Sequence, residues 1–324
     1  MYERQALYLG KTAQDKLFRA KVVLIGCGAL GSNIGIGLAR AGTGSITLVD
    51  RDIVEEENLG THQYSHHEID LPKSIALKQK ILEINKEIHV EAFVVDVNKT
   101  NIEGFINGTD LVLDGTDNMR TRFLVNDACV KNKVPWVYGS CVKSEGASAV
   151  FYPVGPCFRC VFPKVPSKLE TCDTVGIVST LPALIANMQV SETIKILTGG
   201  KASKDMIFYD CLKHTLEKVA IKKNDGCKAC SKDSFEFLNS KLKETAVLCG
   251  RNAVQVFPSR PLKMEELMHR LQGSEVEILG GNLYLMSFKI KDYVITVFED
   301  GRALVKGTSD EKKAKSLYSR YVGA

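Results

Sequence analysis

Residues 21–50 read KVVLIGCGALGSNIGIGLARAGTGSITLVD. A short apolar run breaks at glycines, a helix-forming stretch runs to Gly42, and a second apolar run stops at Asp50. That order predicts a buried parallel strand, a tight glycine turn, a helix and a neighbouring strand. Gly26, Gly28 and Gly31 permit the turn, close backbone approach to phosphates and close helix packing. The helix N-terminus beyond them favours an anion. Asp50 follows about 20 residues later, where a carboxylate can bind ribose hydroxyls. A nucleotide site is the expectation. The motif alone does not separate NAD from ATP, and it commonly means NAD.

The first half continues in the same style. The first twenty residues read as a helical lead-in. A helix from about Lys73 to Asn85, strands in VEAFVVDV and DLVLDG, a helix in RTRFLVNDACVKN, and strands in VPWVYGSC and ASAVFYPVG follow. Strands alternating with helices predict a Rossmann-like parallel α/β sheet with flanking helices. From about Gly155 cysteines and prolines become frequent and the alternation stops, apart from a helix in PALIANMQVSETIKILTGG. After Lys232 a small α+β unit begins, with a helix near Lys263–Gln272 and strands in LYLMSFKIK and YVITVFE. An Asp300–Gly301 turn leads into RALVKG, and a capping-box pattern from Thr308 to Glu311 opens a last helix. The expected division is one domain over 1–232 and an α+β appendage over 233–324. Within the first, the nucleotide-binding sheet covers about 21–150 and a cysteine segment about 151–232.

A net charge of +5 spread along 324 residues is no nucleic-acid footprint. No stretch reaches the ~18 apolar residues of a membrane span. The N-terminus MYERQALYLG lacks the pattern of a signal peptide, so the reading is a cytoplasmic protein. There, ten cysteines point to metal or chemistry rather than disulfides. GPCFRC supplies Cys157 and Cys160, and DGCKAC supplies Cys227 and Cys230. Two such knuckles have the spacing of a structural tetrathiolate zinc site, here tying distant segments together. Cys27, Cys129, Cys141 and Cys211 read as small core residues, and Cys249 as a buried odd thiol.

Two features argue against a dehydrogenase. The polar loop after Asp50, RDIVEEENLGTHQYSHHEIDLP, leads to Lys73, and the fourth strand ends in DGTDN. At the carboxyl edge of a parallel sheet Asp114 and Asp117 would face the ligand crevice. Hard carboxylates near a lysine suit a Mg-bound triphosphate better than a nicotinamide. Asp117 has a rival reading as N-cap of the helix near Met119. His62, His66 and His67 share the polar loop, for which a solvated, mobile segment is preferred over a metal site.

The motifs YERQ, GCGALG, VDRD, EENL, LPKS, DGTDN, PCFRC, TCDTVG and GCKAC together make the chain similar, over about residues 1–230, to the ThiF/MoeB/HesA adenylyltransferase family, relatives of ubiquitin-activating enzymes. The resemblance implies use of ATP and Mg to adenylylate the C-terminal glycine of a ubiquitin-like sulfur-carrier protein ending in Gly-Gly, with release of pyrophosphate. Gly26, Gly28, Ala29 and Gly31 then match the nucleotide loop, and Asp50 the ribose-binding acid. Asp52 and Asn58 match loop positions near the nucleotide, and Lys73 the phosphate-binding lysine. Asp117 matches the Mg-linked aspartate, with Asn118 beside it. Arg4 matches an arginine that reaches the phosphates from a partner protomer, which implies a homodimer. Where the family often has Asn-Leu-x-Arg-Gln, this chain has Asn58, Leu59, Gly60, Thr61 and His62. The arginine position falls on Thr61, so a phosphate contact is missing or moved to Arg51 or His62. In some relatives the cysteine at Cys172 takes the activated carrier as a thioester or acyl persulfide; the alternative is a spectator thiol. Two rival readings of the whole remain: an NAD-dependent oxidoreductase, and a non-catalytic scaffold binding a ubiquitin-like partner. The tail lies outside the shared motifs, and docking of a carrier or a sulfur-donor protein is the role open to it.

Overall fold

The computed structural model describes every residue except 167–170, 241–244, 249–251, 258–261, 273 and 324, so Cys249 lies outside the described residues. The chain divides into two compact units, Met1–Ser240 and Lys241–Ala324. The first runs α1 (Glu3–Leu9), α2 (Lys11–Arg19), β1 (Lys21–Ile25), α3 (Ala29–Ala41), β2 (Ser45–Asp50), α4 (Lys73–Ile84), β3 (His89–Val94), α5 (Ile102–Ile106) and β4 (Leu111–Asp114). It continues α6 (Met119–Lys131), β5 (Trp136–Val142), β6 (Glu145–Phe151), α7 (Phe158–Val161), α8 (Cys172–Val175), α9 (Leu181–Thr198), β7 (Asp205–Asp210) and β8 (Thr215–Ala220). Among the described residues, no helix is long and apolar enough to cross a membrane.

The eight strands lie in the order β3-β2-β1-β4-β5-β6-β7-β8. β3 through β5 in that order are parallel, as expected. The remaining strands are antiparallel, which the sequence reading did not foresee. The reason is local. Val142 pairs with Glu145, so only Lys143 and Ser144 join β5 to β6, and Lys143 takes φ 55. Two residues make a hairpin, never a parallel crossover. β8 escaped notice because all six of its residues are exposed, which leaves no buried face to imprint a pattern.

The sheet is buried on both faces. Leu24, Leu48, Leu113 and Val137 pack with α3, α4 and α9 on one side. Val23, Val112 and Trp136 pack with α5 and α6 on the other. α3 ends where expected: Gly42 adopts φ 82, and its N–H reaches the carbonyls of Leu38 and Ala39. β1 sits between β2 and β4, so the chain leaves it first to one side and then to the other. That reversal opens a crevice at the carboxyl ends of β1 and β4.

The second unit contains β9 (Thr245–Leu248), β10 (Ala253–Val256), α10 (Met264–Gln272), β11 (Glu277–Gly281), β12 (Leu285–Ile290), β13 (Tyr293–Phe298), β14 (Ala303–Lys306) and α11 (Glu311–Tyr321). Its antiparallel sheet, ordered β11-β12-β13-β14-β10-β9, packs Val254, Phe288, Ile295 and Val305 with Leu267 of α10 and Leu317 of α11. The expected turn before β14 is present, with Gly301 at φ 85. The last helix is capped differently from the expectation. Asp310, not Thr308, accepts the N–H groups of Lys312 and Lys313.

Below the crevice lies a buried charge pair. Arg122 of α6 donates from Nε to Asp114 Oδ2 at 2.8 Å and from its terminal nitrogen to the Thr116 and Gly139 carbonyls. It thereby holds β4, the loop after it and β5 in one register. Arg122→Ala should strand the Asp114 carboxylate and cost about 3–5 kcal/mol, read as a lower urea midpoint.

Candidate functional site

The glycines divide their work at the turn between β1 and α3. Gly26 sits at φ 89, and a Cβ there would lie 2.6 Å from Gly115 of the β4–α6 loop. A Cβ on Gly31 would lie 1.8 Å from the Gly26 carbonyl oxygen. These two are glycines because backbone touches backbone. Gly28, the N-cap residue of α3, is different: a Cβ there would meet a single heavy atom, Nε2 of His62, at 3.7 Å. The space over Gly28 is open, and no side chain caps the helix. The first-turn N–H groups, starting at Ala29, are therefore available to an anion.

Asp50 closes the turn from the next strand. Its Oδ2 accepts the Cys27 N–H at 2.5 Å and its Oδ1 accepts the Asp52 N–H at 2.6 Å. A carboxylate has about four lone-pair sites, so both oxygens can still accept from a sugar hydroxyl. Burial, followed by the nearby Asp52 charge, raises the Asp50 carboxyl above its usual range, against the lowering by Lys73 and the two backbone N–H groups.

Lys73 is buried, 4% exposed, where a surface lysine would be the ordinary reading. It opens α4, its N–H donates to the Asp52 carbonyl, and its Nζ lies 3.9 Å from Asp52 Oδ2. A cation at a helix N-terminus opposes the helix dipole, and buried lysines are rare. Both penalties make sense where an anion is to be bound.

The loop between β2 and α4 is more built than a mobile segment. Ile53 bridges to Pro72, and Val54 exchanges hydrogen bonds with Asp70 and Leu71. Asn58 is buried and accepts the Glu55 N–H, which shapes the turn. Tyr64 is the residue that sequence reasoning missed. Its buried hydroxyl lies 2.6 Å from the Cys27 carbonyl and 3.1 Å from that of Lys73, joining the glycine turn to the lysine. A lone aromatic in HQYSHH was the only available signal. His66 and His67 are exposed, and among the described residues no metal-ligand group includes a histidine.

The two acids after β4 part company. Asp114, expected to face the crevice, is 1% exposed and held by Arg122 and Thr116. Asp117 is exposed, and its charge helps hold the protons on Arg51 and Arg122. Asp117 is not the cap of α6 either: Asn118 accepts the N–H groups of Arg120 and Thr121.

Cys172 opens the single turn of α8 and not the long helix α9, which starts at Leu181. Lys143, just past β5, pairs with Gly176 and Val178, so Cys172 belongs to the same carboxyl edge of the sheet. Arg4 does not. Its helix is tied by Tyr2 and Gln5 to the carbonyls of Ala39 and Ala41, at the far end of α3 from the glycine turn. Twelve helical steps separate Ala29 from Ala41, about 18 Å.

Cys157, Cys160, Cys227 and Cys230 converge, with all four sulfurs within 4.8 Å of one another. Cys157 and Cys227 are 3.6 Å apart, and Cys160 and Cys230 are 3.5 Å apart. Tetrahedral zinc with Zn–S near 2.3 Å requires sulfurs about 3.8 Å apart. The donor set fits that metal. Burial and then the neighbouring thiols raise Cys157, while burial chiefly pushes Cys230 up to about 11. The Asn224 N–H donates to Cys160 Sγ at 3.4 Å, the kind of contact that steadies a thiolate.

An α/β sheet with an anion-accepting turn at its switch point, a buried lysine and carboxylates on the same edge defines a nucleotide-binding protein of the Rossmann-like class. The ThiF family model matches residues 2–229, and the chain belongs to that family. It is 37% identical to the sulfur carrier protein ThiS adenylyltransferase of Bacillus subtilis over a 333-residue alignment covering 99% of each chain. It is 34% identical to the SAMP-activating enzyme E1 of Haloferax volcanii, over 70% of this chain and 87% of that one. Among solved structures, Escherichia coli MccB superposes with a TM-score of 0.64 at 21% identity, over 71% of this chain and 74% of that one, a likeness of fold. The motifs and the family model both stop near residue 230, but the Bacillus relative matches through the second unit as well.

The two kinds of glycine can be told apart. Gly31→Ala should fail to fold, whereas Gly28→Ala should fold with a melting curve near wild type and bind nucleotide poorly. Thermal circular dichroism and nucleotide titration check the pair.

Proposed function

We propose that this chain is an ATP-dependent adenylyltransferase that activates the C-terminal carboxylate of a ubiquitin-like sulfur-carrier protein. The observation that carries the reading is Lys73, a buried cation at a helix N-terminus beside Asp50 and Asp52, whose charge is felt at Cys27 of the glycine turn. A carboxylate oxygen of the carrier attacks the α-phosphorus, the bond to the β-phosphate oxygen breaks, and pyrophosphate leaves with the electron pair. The attack brings two anions together, and the residues offset that repulsion. The N–H groups from Ala29 onward hold phosphate oxygens, Asp50 orients the ribose, and Lys73 places its charge against the phosphates. Asp117, with its exposed carboxylate, would hold Mg, a hard cation commonly bound by one or two carboxylates and substrate phosphates. Mg supplies neutralisation of the charge that builds on the leaving pyrophosphate. Asp52 and Asn58 shape the loop around this site, and Asn118 fixes the start of α6 so that Asp117 stays in the crevice.

Arg4 is too far from its own glycine turn, which supports its supply to a second copy's site and hence a homodimer. In this reading Cys172, on the same edge, takes the acyl group from the adenylate as a thioester, and AMP leaves. The four-cysteine cluster takes a structural zinc. The Bacillus relative is by name an adenylyltransferase of the sulfur carrier protein ThiS, which supports that substrate class. A cytoplasmic setting suits a reaction that consumes ATP and a chain whose described cysteines form no disulfide. The second unit is an appendage shared with the Bacillus relative, suited to a role in carrier or sulfur-donor docking.

Carrier-dependent ATP–pyrophosphate exchange should drop about 10²–10³-fold in Asp117→Ala and Lys73→Met, with far-UV circular dichroism unchanged. Wild-type exchange in Asp117→Ala would overturn the assignment. Elemental analysis should find one zinc per chain, retained by Cys172→Ser and lost, with a lower melting temperature, in Cys227→Ser/Cys230→Ser.

A further inference from the structure

The loop between β2 and α4 reaches over the glycine turn with one side chain. Among the described residues, His62 Nε2 is the heavy atom that a side chain at Gly28 would meet. The ring is held from the other side, with Nδ1 3.0 Å from Thr61 Oγ1. The His62 N–H donates to the Asn58 carbonyl at 2.9 Å. Its ring stands 5.9 Å from that of Tyr64, whose hydroxyl bonds to the Cys27 and Lys73 carbonyls. The imidazole is therefore positioned by the same contacts that shape the glycine turn and the start of α4.

Arg51, the other cation of this loop, is committed elsewhere. It donates to Asp96 at 2.7 Å and lies 3.7 Å from Asp52. Burial works to lower its pKa, but Asp52 and Asp96 outweigh that and hold its proton more firmly.

We propose that His62 is a phosphate-binding residue for the triphosphate of the nucleotide, aimed by Thr61, at the place where related chains often carry arginine. With the Thr61 hydroxyl donating to Nδ1, the ring proton would sit on Nε2, the nitrogen nearest Gly28. Through Nε2 the imidazole gives one donor on that side, where arginine gives a fork of several. Two adjacent residues, Thr61 and His62, share the task of one.

This rests on the nucleotide reading above, and the test separates the two. ATP and adenosine affinities are measured by calorimetry, alongside carrier-dependent exchange, for wild type, His62→Ala, His62→Phe and His62→Ala/Thr61→Arg. His62→Phe keeps the ring packing and removes both nitrogens, so it serves if the alanine variant is unstable. Loss of His62 should weaken ATP about tenfold or more and leave adenosine unchanged, and Thr61→Arg should restore ATP binding. Unchanged ATP affinity in both single variants, or equal weakening of ATP and adenosine, overturns the proposal. Wild-type chain that binds ATP but shows no exchange with the carrier refutes adenylylation, and His62 is still judged by the affinities. Wild-type chain that binds no ATP overturns both.

Discussion

At the carbonyl oxygen of Gly26 two turns of the first unit meet backbone to backbone. A Cβ on Gly31 would stand 1.8 Å from it, and a Cβ on Gly115 would stand 2.3 Å from it. No side chain larger than hydrogen fits at either position. The contact brings the turn after β1 against the turn after β4, where the strand order reverses. Every group of the candidate crevice is hung from that junction. Asp50 bonds to Cys27 one residue beyond it, Tyr64 bonds to the same residue's carbonyl, and Asp117 leaves from the loop that Gly115 begins.

Around this junction the charges sort by burial. Asp114 and Arg122 satisfy each other beneath the crevice and serve packing. Asp117, three residues past Asp114, is exposed and left open to solvent. Asp50, Asp52 and Lys73 lie between these extremes, with the lysine nearly closed off and Asp52 partly open. A buried lysine among half-buried acids is a poor design for stability alone. It is a reasonable one for holding a polyanion whose charge grows during reaction.

The cysteine cluster solves a different problem. The sheet ends in strands joined antiparallel, and β8 has no buried residue of its own. Such an edge has little apolar surface to keep its ends in place. Cys157 and Cys160 follow β6, and Cys227 and Cys230 follow β8, so the sulfurs join the two ends of this edge. Arg159, between the first two, reaches Asp127 on α6 and Glu236 beyond the second pair, which couples the cluster to the main core.

The strand, turn and helix of residues 21–50 were readable because local steric rules leave a glycine turn between an apolar strand and a helix few alternatives. The convergence of the cysteines was readable because two Cys-x-x-Cys pairs are a spacing that tetrathiolate sites use. Asp114 and Asp117 both read as facing the crevice, since only the arrival of Arg122 from α6 decides that Asp114 is buried. The cap at Asn118, the committed guanidinium of Arg51, and the link made by Tyr64 depend likewise on where side chains from separate segments meet. The antiparallel edge escaped because a fully exposed strand carries no period. The chain's own order thus determined the class of sheet, the glycine turn and the paired thiols, all set by short-range sterics and spacing. Tertiary structure decided that Asp114 is buried and Asp117 exposed, that Lys73 is buried, and that His62 Nε2 stands nearest Gly28. Burial and charge pairing are properties of contacts between residues distant in sequence.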